Sequence, residues 1–193
     1  YLRAEKITLT RHYESFEVYH HEEDLLYHFS RSNAQYYKLT RITREAVQME
    51  FIYDGSFLTK IIDTAGREIR IENDHKGRII SATILSSIGQ QRKISYHYDE
   101  HGNMIRITDA LGKSTHIAYQ GHLMVKKTDR NGHSFYWEYD PLNRCVHTWG
   151  DDGWQEGWLS YNPEKGYSRI TDSAGGVTTY CYNEKQLVTR IIN

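Results

Sequence analysis

Along much of this chain, apolar and polar side chains alternate one for one. Ile94, Tyr96 and Tyr98 interleave with Lys93, Ser95 and His97, and Ile105 and Ile107 with Arg106 and Thr108. Phe135, Trp137 and Tyr139 interleave in the same way with Ser134, Tyr136 and Glu138. A period of two places the first set on one face of a β-strand and the second on the other. The pattern predicts a sheet with one apolar, aromatic face and one wet face. The i, i+3, i+4 stripe of an amphipathic helix is nearly absent, running nowhere beyond about a dozen residues.

Turn phrases punctuate these strands at a fixed spacing. The first reads Tyr98-Asp99-Glu100-His101-Gly102, and it returns at Tyr119-Gln120, Tyr139-Asp140-Pro141, Tyr161-Asn162-Pro163 and Tyr182-Asn183. The tyrosines are 21, 20, 22 and 21 residues apart. A second beat lies between them: Asp109 to Gly112, Asp129 to Gly132 and Asp172 to Gly175, each after a Thr. Upstream, Tyr53-Asp54-Gly55 and Asp63 to Gly66 belong to the same series, and Asn73-Asp74 to Gly77 is a copy without its tyrosine. A period near 21 residues marks one structural unit copied along the chain. In Asp-x-x-Gly the carboxylate accepts a backbone N–H inside the turn, and Gly supplies positive φ where the chain re-enters a strand. Each repeat therefore predicts one antiparallel hairpin joined to the next by a second tight turn. The fold class is all-β: consecutive hairpins in one continuous curved sheet.

Residues 1–50 lack the Tyr-Asp beat but remain strand-like and form a first part; residues 51–193 form the repeat array. Phe16, Val18 and His20 alternate with Ser15, Glu17 and Tyr19, and Leu25, Tyr27 and Phe29 follow the charged turn His21 to Asp24. Gln35 to Thr40 and Val47 to Tyr53 supply further strands, while Thr43 to Ala46 reads equally as a turn or a helical turn. Residues 83–92 stretch the spacing between two copies to 25, which predicts a longer loop or bulge there.

Composition narrows the classes. A 38% hydrophobic content with mean hydropathy −0.73 is a lean core for 193 residues, offset in part by 16 Tyr and 4 Trp. Twenty-four Lys and Arg against 25 Asp and Glu give no basic excess for a nucleic-acid partner. Cys145 and Cys181 sit at different phases of the repeat and suggest packing or a reduced compartment rather than a disulfide framework. No apolar run reaches the length of a membrane span, and these 193 residues carry no signal-peptide pattern.

The phrase Tyr-x-Tyr-Asp-x-x-Gly-Asn, followed by Thr-Asp-x-x-Gly, resembles the YD repeat of Rhs proteins. The best copy is Tyr96 to Asn103 with Thr108 to Gly112, and six or seven copies cover residues 51–193. The resemblance implies a hairpin ribbon spiralling into a hollow shell, as in bacterial Rhs toxins, toxin-complex C subunits and, as a related barrel, teneurins. It implies a non-catalytic shell segment that encloses a carboxy-terminal toxic domain for delivery in competition between bacteria. Its partners would be the rest of the same shell, the enclosed toxin domain and a secretion-system spike, adaptor or chaperone. Such a protein is made in the bacterial cytoplasm and then secreted or delivered, by a route such as type VI secretion. The Asp-Pro-x-Gly-Leu motif that ends an Rhs core is missing: Asp140-Pro141 continues as Leu142-Asn143 and reads as a turn. The chain opens mid-pattern at Tyr1 and stops in a strand at Asn193, so a segment of a longer array is expected, self-associating when alone.

Candidate chemistry is sparse. His20 and His21 with Glu22, Glu23 and Asp24 offer metal-ligand types, but strand alternation points the two imidazoles apart, and a solvated turn is preferred. The recurring aspartates could be imagined as glycosidase carboxylates, yet a residue that returns at every turn does a turn's work. No serine or cysteine has a nucleophile context. Neither a cofactor nor a metal is implied, and no catalytic residue is assigned. The structural positions are Tyr53, Asp54, Asp63, Gly66, Tyr98, Asp99, Gly102, Asp109, Gly112, Tyr119, Asp129, Gly132, Tyr139, Asp140, Tyr161, Asp172, Gly175 and Tyr182. Trp149, Trp154 and Trp158 gather around one turn; buried, they pack the sheet, which is the preferred reading, and exposed, they are candidates for stacking on sugars. The alternative function is therefore a carbohydrate- or cell-surface-binding repeat module.

Overall fold

The computed structural model describes residues 6–33, 35–85 and 91–193. The described residues hold eighteen strands of one sheet, and every described pairing is antiparallel between strands consecutive in the chain. By compactness the chain divides into two units, residues 1–95 and 96–193.

The first unit runs through β1 (Ile7–Arg11), β2 (Ser15–His20), β3 (Leu25–Arg31), β4 (Tyr37–Arg44) and β5 (Val47–Asp54). It continues with β6 (Phe57–Asp63), β7 (Glu68–Asn73), β8 (Ile79–Leu85) and most of β9 (Gln91–Tyr98). The charged turn expected between Phe16 and Phe29 is present: β2 and β3 pair from Ser15↔Ser30 to His20↔Leu25 around His21 to Asp24. Thr43 to Ala46 resolves as a strand end and a two-residue loop, with Glu45 at φ 48 and Arg44 opposite Val47. An apolar row crosses β5 to β8 through Phe51↔Ile61, Ile61↔Ile69 and Ile69↔Ile84. Each such cross-strand contact contributes roughly 0.2–1 kcal/mol. The longer loop expected over 83–92 centres on residues that lie outside the described ones; β8 and β9 flank it, paired up to Leu85↔Gln91.

The second unit takes up the last residues of β9 and then β10 (Met104–Thr108), β11 (Ser114–Gln120), β12 (Leu123–Thr128) and β13 (Ser134–Tyr139). It ends with β14 (Cys145–Gly150), β15 (Gly157–Asn162), β16 (Tyr167–Asp172), β17 (Val177–Tyr182) and β18 (Val188–Ile192). Two single 3-10 turns, Asp151–Gly153 and Pro163–Lys165, replace the tight turns around β15.

A sheet in one layer covers neither of its faces. Among the described residues no hydrophobic side chain is fully buried, and the buried side chains are the polar Ser81, Asn103 and Ser134. These three side chains are bonded: Ser81 Oγ donates to Glu72 Oε2 at 2.5 Å, Asn103 Nδ2 donates to Asp99 Oδ2, and Ser134 Oγ pairs with Thr128 Oγ1. Stability must then come from in-plane pairing, half-buried rings and the fastenings at the turns.

Candidate functional site

The repeat machinery is built from two kinds of fastening. The first is the aspartate turn. Asp63, Asp74, Asp109, Asp129, Asp140 and Asp172 each place Oδ1 to accept the N–H groups two and four residues on, at 2.8–3.0 Å. Asn183 does the same with Lys185 and Leu187. The carbonyl of each of these residues also accepts the N–H three residues on, and its own N–H donates to the carbonyl four residues on. That third position after the Asp is left-handed: φ is 75° at Gly66, 92° at Gly102, 76° at Gly112, 94° at Gly132 and 83° at Gly175. Asn143 holds it after Asp140 at φ 61° and Gln186 after Asn183 at φ 60°. Asparagine tolerates that region because its short amide bonds locally.

Hydrogen bonding to the charged form holds the carboxyls of Asp63, Asp74, Asp99, Asp109, Asp129 and Asp140 below the ordinary carboxylate range. The backbone bond from Arg67 leads for Asp63, that from Asn131 for Asp129 and that from Arg144 for Asp140. The Asn103 amide leads for Asp99. For Asp74 and Asp109 desolvation is the largest single influence and pushes upward, but the combined bonds to Arg78 and Lys76, and to Lys113, Leu111 and Arg130, outweigh it. Some of the partners reach across repeats. Arg130 Nη1 lies 3.1 Å from Asp109 Oδ2, one repeat back. Buried Asn103 donates from Nδ2 to both Asp99 Oδ2 and the Gly121 carbonyl at 2.9 Å, and its Oδ1 meets His122 Nδ1 at 2.7 Å.

The second fastening is the tyrosine. The strand register slips by one residue directly before Tyr53, Tyr119, Tyr139 and Tyr182. The extra residue lies on the following strand, at Thr59, Val125, Val146 and Thr189, and such a bulge bends that strand and deepens the local twist. Tyr53 Oη donates to the Leu39 carbonyl at 2.9 Å, Tyr119 to Met104 at 3.2 Å, Tyr139 to Met124 at 2.8 Å and Tyr161 to Cys145 at 2.6 Å. Each bond runs back to the preceding strand. Partial burial pushes these four hydroxyls above the usual tyrosine value. The copy without a tyrosine keeps the bond: Asn73 follows the same slip, and its Nδ2 donates to the Leu58 carbonyl at 2.8 Å. Tyr98 ends β9 half-buried, and Tyr182 ends β17 half-buried with its N–H on the Gly166 carbonyl. Asp54 stands apart from the other aspartates. It closes β5 opposite Phe57 around the two-residue loop Gly55-Ser56, with Gly55 at φ 52.

The tryptophans divide between the faces. Register sets Phe135 opposite Gly150 and Tyr136 opposite Trp149, so neighbouring positions fall on opposite sides. On one side Trp154 packs edge-on against Phe135, ring centres 5.5 Å apart, where Gly150 leaves room for both rings. On the other side four rings stack in series. Tyr136 lies 5.3 Å from Trp149, Trp149 lies 4.3 Å from His147, and His147 lies 5.3 Å from Trp158. Glu138 Oε2 and Glu156 Oε1 meet the two nitrogens of His147 at 3.2 and 2.9 Å, and Tyr136 Oη donates to Asp151 Oδ1 at 3.1 Å. The face that alternation marks as wet thus carries an aromatic cluster of its own. Trp154 and Trp158 remain 61% and 43% exposed and cannot contact one ligand from the same face.

His20 and His21 also part company. His20 Nδ1 accepts the Glu23 N–H, whereas His21 Nε2 meets Thr8 Oγ1 at 2.7 Å. Among the described residues no group of three or more His, Cys, Asp or Glu side chains is placed to hold a metal ion, and both cysteines are free. No helix of the described residues is long and apolar enough to cross a membrane.

No protein-family model matches the sequence, and no curated protein matches it significantly. Solved structures do match. A chain of the crystal structure of TcdB2-TccC3-TEV superposes with a TM-score of 0.57 at 13% identity over 86% of this chain. The TcdB2-TccC3 structure without its hypervariable C-terminal region gives the same figures. The Photorhabdus luminescens Tc holotoxin pore carrying TccC3-D651A gives 0.50 at 11% identity. This chain shares their fold. It spans 10–12% of the length of those chains. The YD phrases resemble a family that includes toxin-complex C subunits, and the likeness supports that resemblance at the level of fold.

Proposed function

We propose that this chain is a wall segment of an Rhs-type toxin shell, without catalysis of its own, enclosing a toxic domain until delivery. The observation that carries the reading is a one-layer hairpin sheet with no buried apolar side chain among the described residues, held by fastenings repeated about every 21 residues. Such a sheet extends by adding copies and separates two compartments, which is the task of a wall and not of a catalytic cleft. The Tc-toxin likeness supports it by fold. Its partners would be the neighbouring hairpins of the same shell, the enclosed domain and a delivery component. Electron cryomicroscopy of the longer gene product containing this segment tests it. The expected result is residues 6–193 paired into further hairpins around enclosed density; solvent on both faces of an open sheet would overturn it.

The exposure of Trp158 at the end of the ring stack favours a second reading, binding of carbohydrate on one face. Glycan-array binding that is saturable and lost in Trp158→Ala would favour it over the wall. Because Trp154 lies on the opposite face, Trp154→Ala should leave such binding intact.

A further inference from the structure

The polar face of the second unit carries a second feature, made of charge. His97, Arg106, His116 and Lys126 come from four consecutive strands, β9 to β12. Register sets Arg106 opposite His116, His116 opposite Thr128, and Ala118 opposite Lys126. These side chains, with small Ala118 leaving space between them, line an open depression of about 630 Å3 that no carboxylate borders. Arg106 Nε donates to His97 Nδ1 at 3.4 Å, which puts the imidazole hydrogen on Nε2 and leaves that N–H as a donor. Lys126 Nζ stands over the Tyr136 ring, 5.2 Å from its centre.

Elsewhere in the sheet, several half-covered cations have acidic partners, Arg144 with Asp140 and Lys60 with Glu68, whereas Lys38 bonds the Gly55 carbonyl and stands over the Tyr53 ring. Arg106 and Lys126 form no ion pair among the described residues. Two fixed positive charges held in one depression repel each other, and an anion seated between them removes that cost. Tyr98, Ile105 and Ile117 complete the lining; the guanidinium and the two imidazoles offer donors there, while the Thr128 hydroxyl bonds Ser134 and the flexible Lys126 ammonium can swing in from over Tyr136. That array matches an anion with oxygens on all sides better than a planar carboxylate. A formal charge of two from Arg106 and Lys126 also matches the dianion of a phosphate monoester.

We propose that this depression is a phosphate-binding site, formed only when β9 to β12 are paired. It is independent of the wall reading, since it would serve equally a ligand from outside or a phosphate-bearing group on an enclosed chain. The test is calorimetric titration of the 193-residue chain with inorganic phosphate at low ionic strength, beside O-phosphoserine and acetate. Saturable phosphate binding is expected, weakened roughly tenfold or more by Arg106→Gln and by Lys126→Gln, the loss expected for a charged hydrogen bond. Arg169→Gln, in β16 away from the depression, should leave it unchanged. Ala118→Leu fills the space without altering charge and should also abolish binding; circular dichroism checks that each variant stays folded. O-phosphoserine binding more tightly than the free ion would mark an esterified ligand, and the reverse order the free ion. Absence of phosphate binding, acetate binding as tightly, or binding untouched by Ala118→Leu would each overturn the proposal.

Discussion

At the aspartate turns a single oxygen accepts two backbone hydrogens, and a single residue three places on must turn left-handed. Gly112 shows the second requirement in isolation. Its φ is 76°, and a Cβ placed there meets nothing within 4 Å, so a substitution acts through backbone conformation and not through collision. Gly112→Val should destabilise by on the order of 1–2 kcal/mol and Gly112→Asn by clearly less. Urea denaturation of both variants checks the order, and equal losses would point to something other than φ. The aspartates predict a pH response. Asp63, Asp74, Asp99, Asp109, Asp129 and Asp140 have folded-state pKa values below their unfolded ones. Their contribution is complete above the unfolded value of about 3.9 and is lost as pH falls through the lower, folded values. Thermal melts should therefore hardly change from pH 7 to 5 and fall steeply below about pH 4. A melting temperature that stays flat to pH 3 would contradict this.

The strand bulge and the ring that follows it make one device. Beside Tyr139 the following strand carries an extra residue, Val146, while the tyrosine hydroxyl reaches Met124 on the preceding strand; the same combination recurs at Tyr119 with Val125 and at Tyr53 with Thr59. Removing only that hydroxyl should cost about 1 kcal/mol, the usual net worth of one hydrogen bond. Tyr139→Phe and Tyr119→Phe are expected to lose that amount each, measured by chemical denaturation. Tyr13→Phe, at a ring 92% exposed, should lose nothing measurable. Losses equal at Tyr13 and Tyr139 would remove the special role of the repeat tyrosine. Asn73 makes the same point by replacement, since an amide in the tyrosine's place reaches the same kind of carbonyl.

On the scale of the molecule, a sheet without a buried apolar layer among its described residues leaves apolar side chains in water. Leu9, Val47, Leu111, Leu142 and Leu187 are each more than 60% exposed, and no hydrophobic side chain is buried to offset them among the described residues. Such a surface recruits other surfaces. The 193-residue chain alone is expected to associate with rising concentration in sedimentation velocity and to bind a hydrophobic dye while folded. A monodisperse monomer that melts in one cooperative step and leaves the dye dark would count against the wall and for a self-contained binding module.

The turns and the hairpin order were legible in the sequence because they are local. Asp, two residues and Gly carry their hydrogen bonds and their φ within five positions, wherever the rest of the chain lies. The period of 21 was legible because each copy repeats that local demand. What the tertiary structure decided is everything that depends on counting across strands. A bulge shifts register by one, so alternation read from the sequence loses track of faces beyond it. The Tyr136–Trp149–His147–Trp158 stack on the polar face and the separation of Trp154 from Trp158 follow from cross-strand register, which no single segment encodes. The bond from Asn73 to Leu58 and the gathering of His97, Arg106, His116 and Lys126 arise in the same way, from residues 9 to 15 positions apart brought side by side only when neighbouring strands pair.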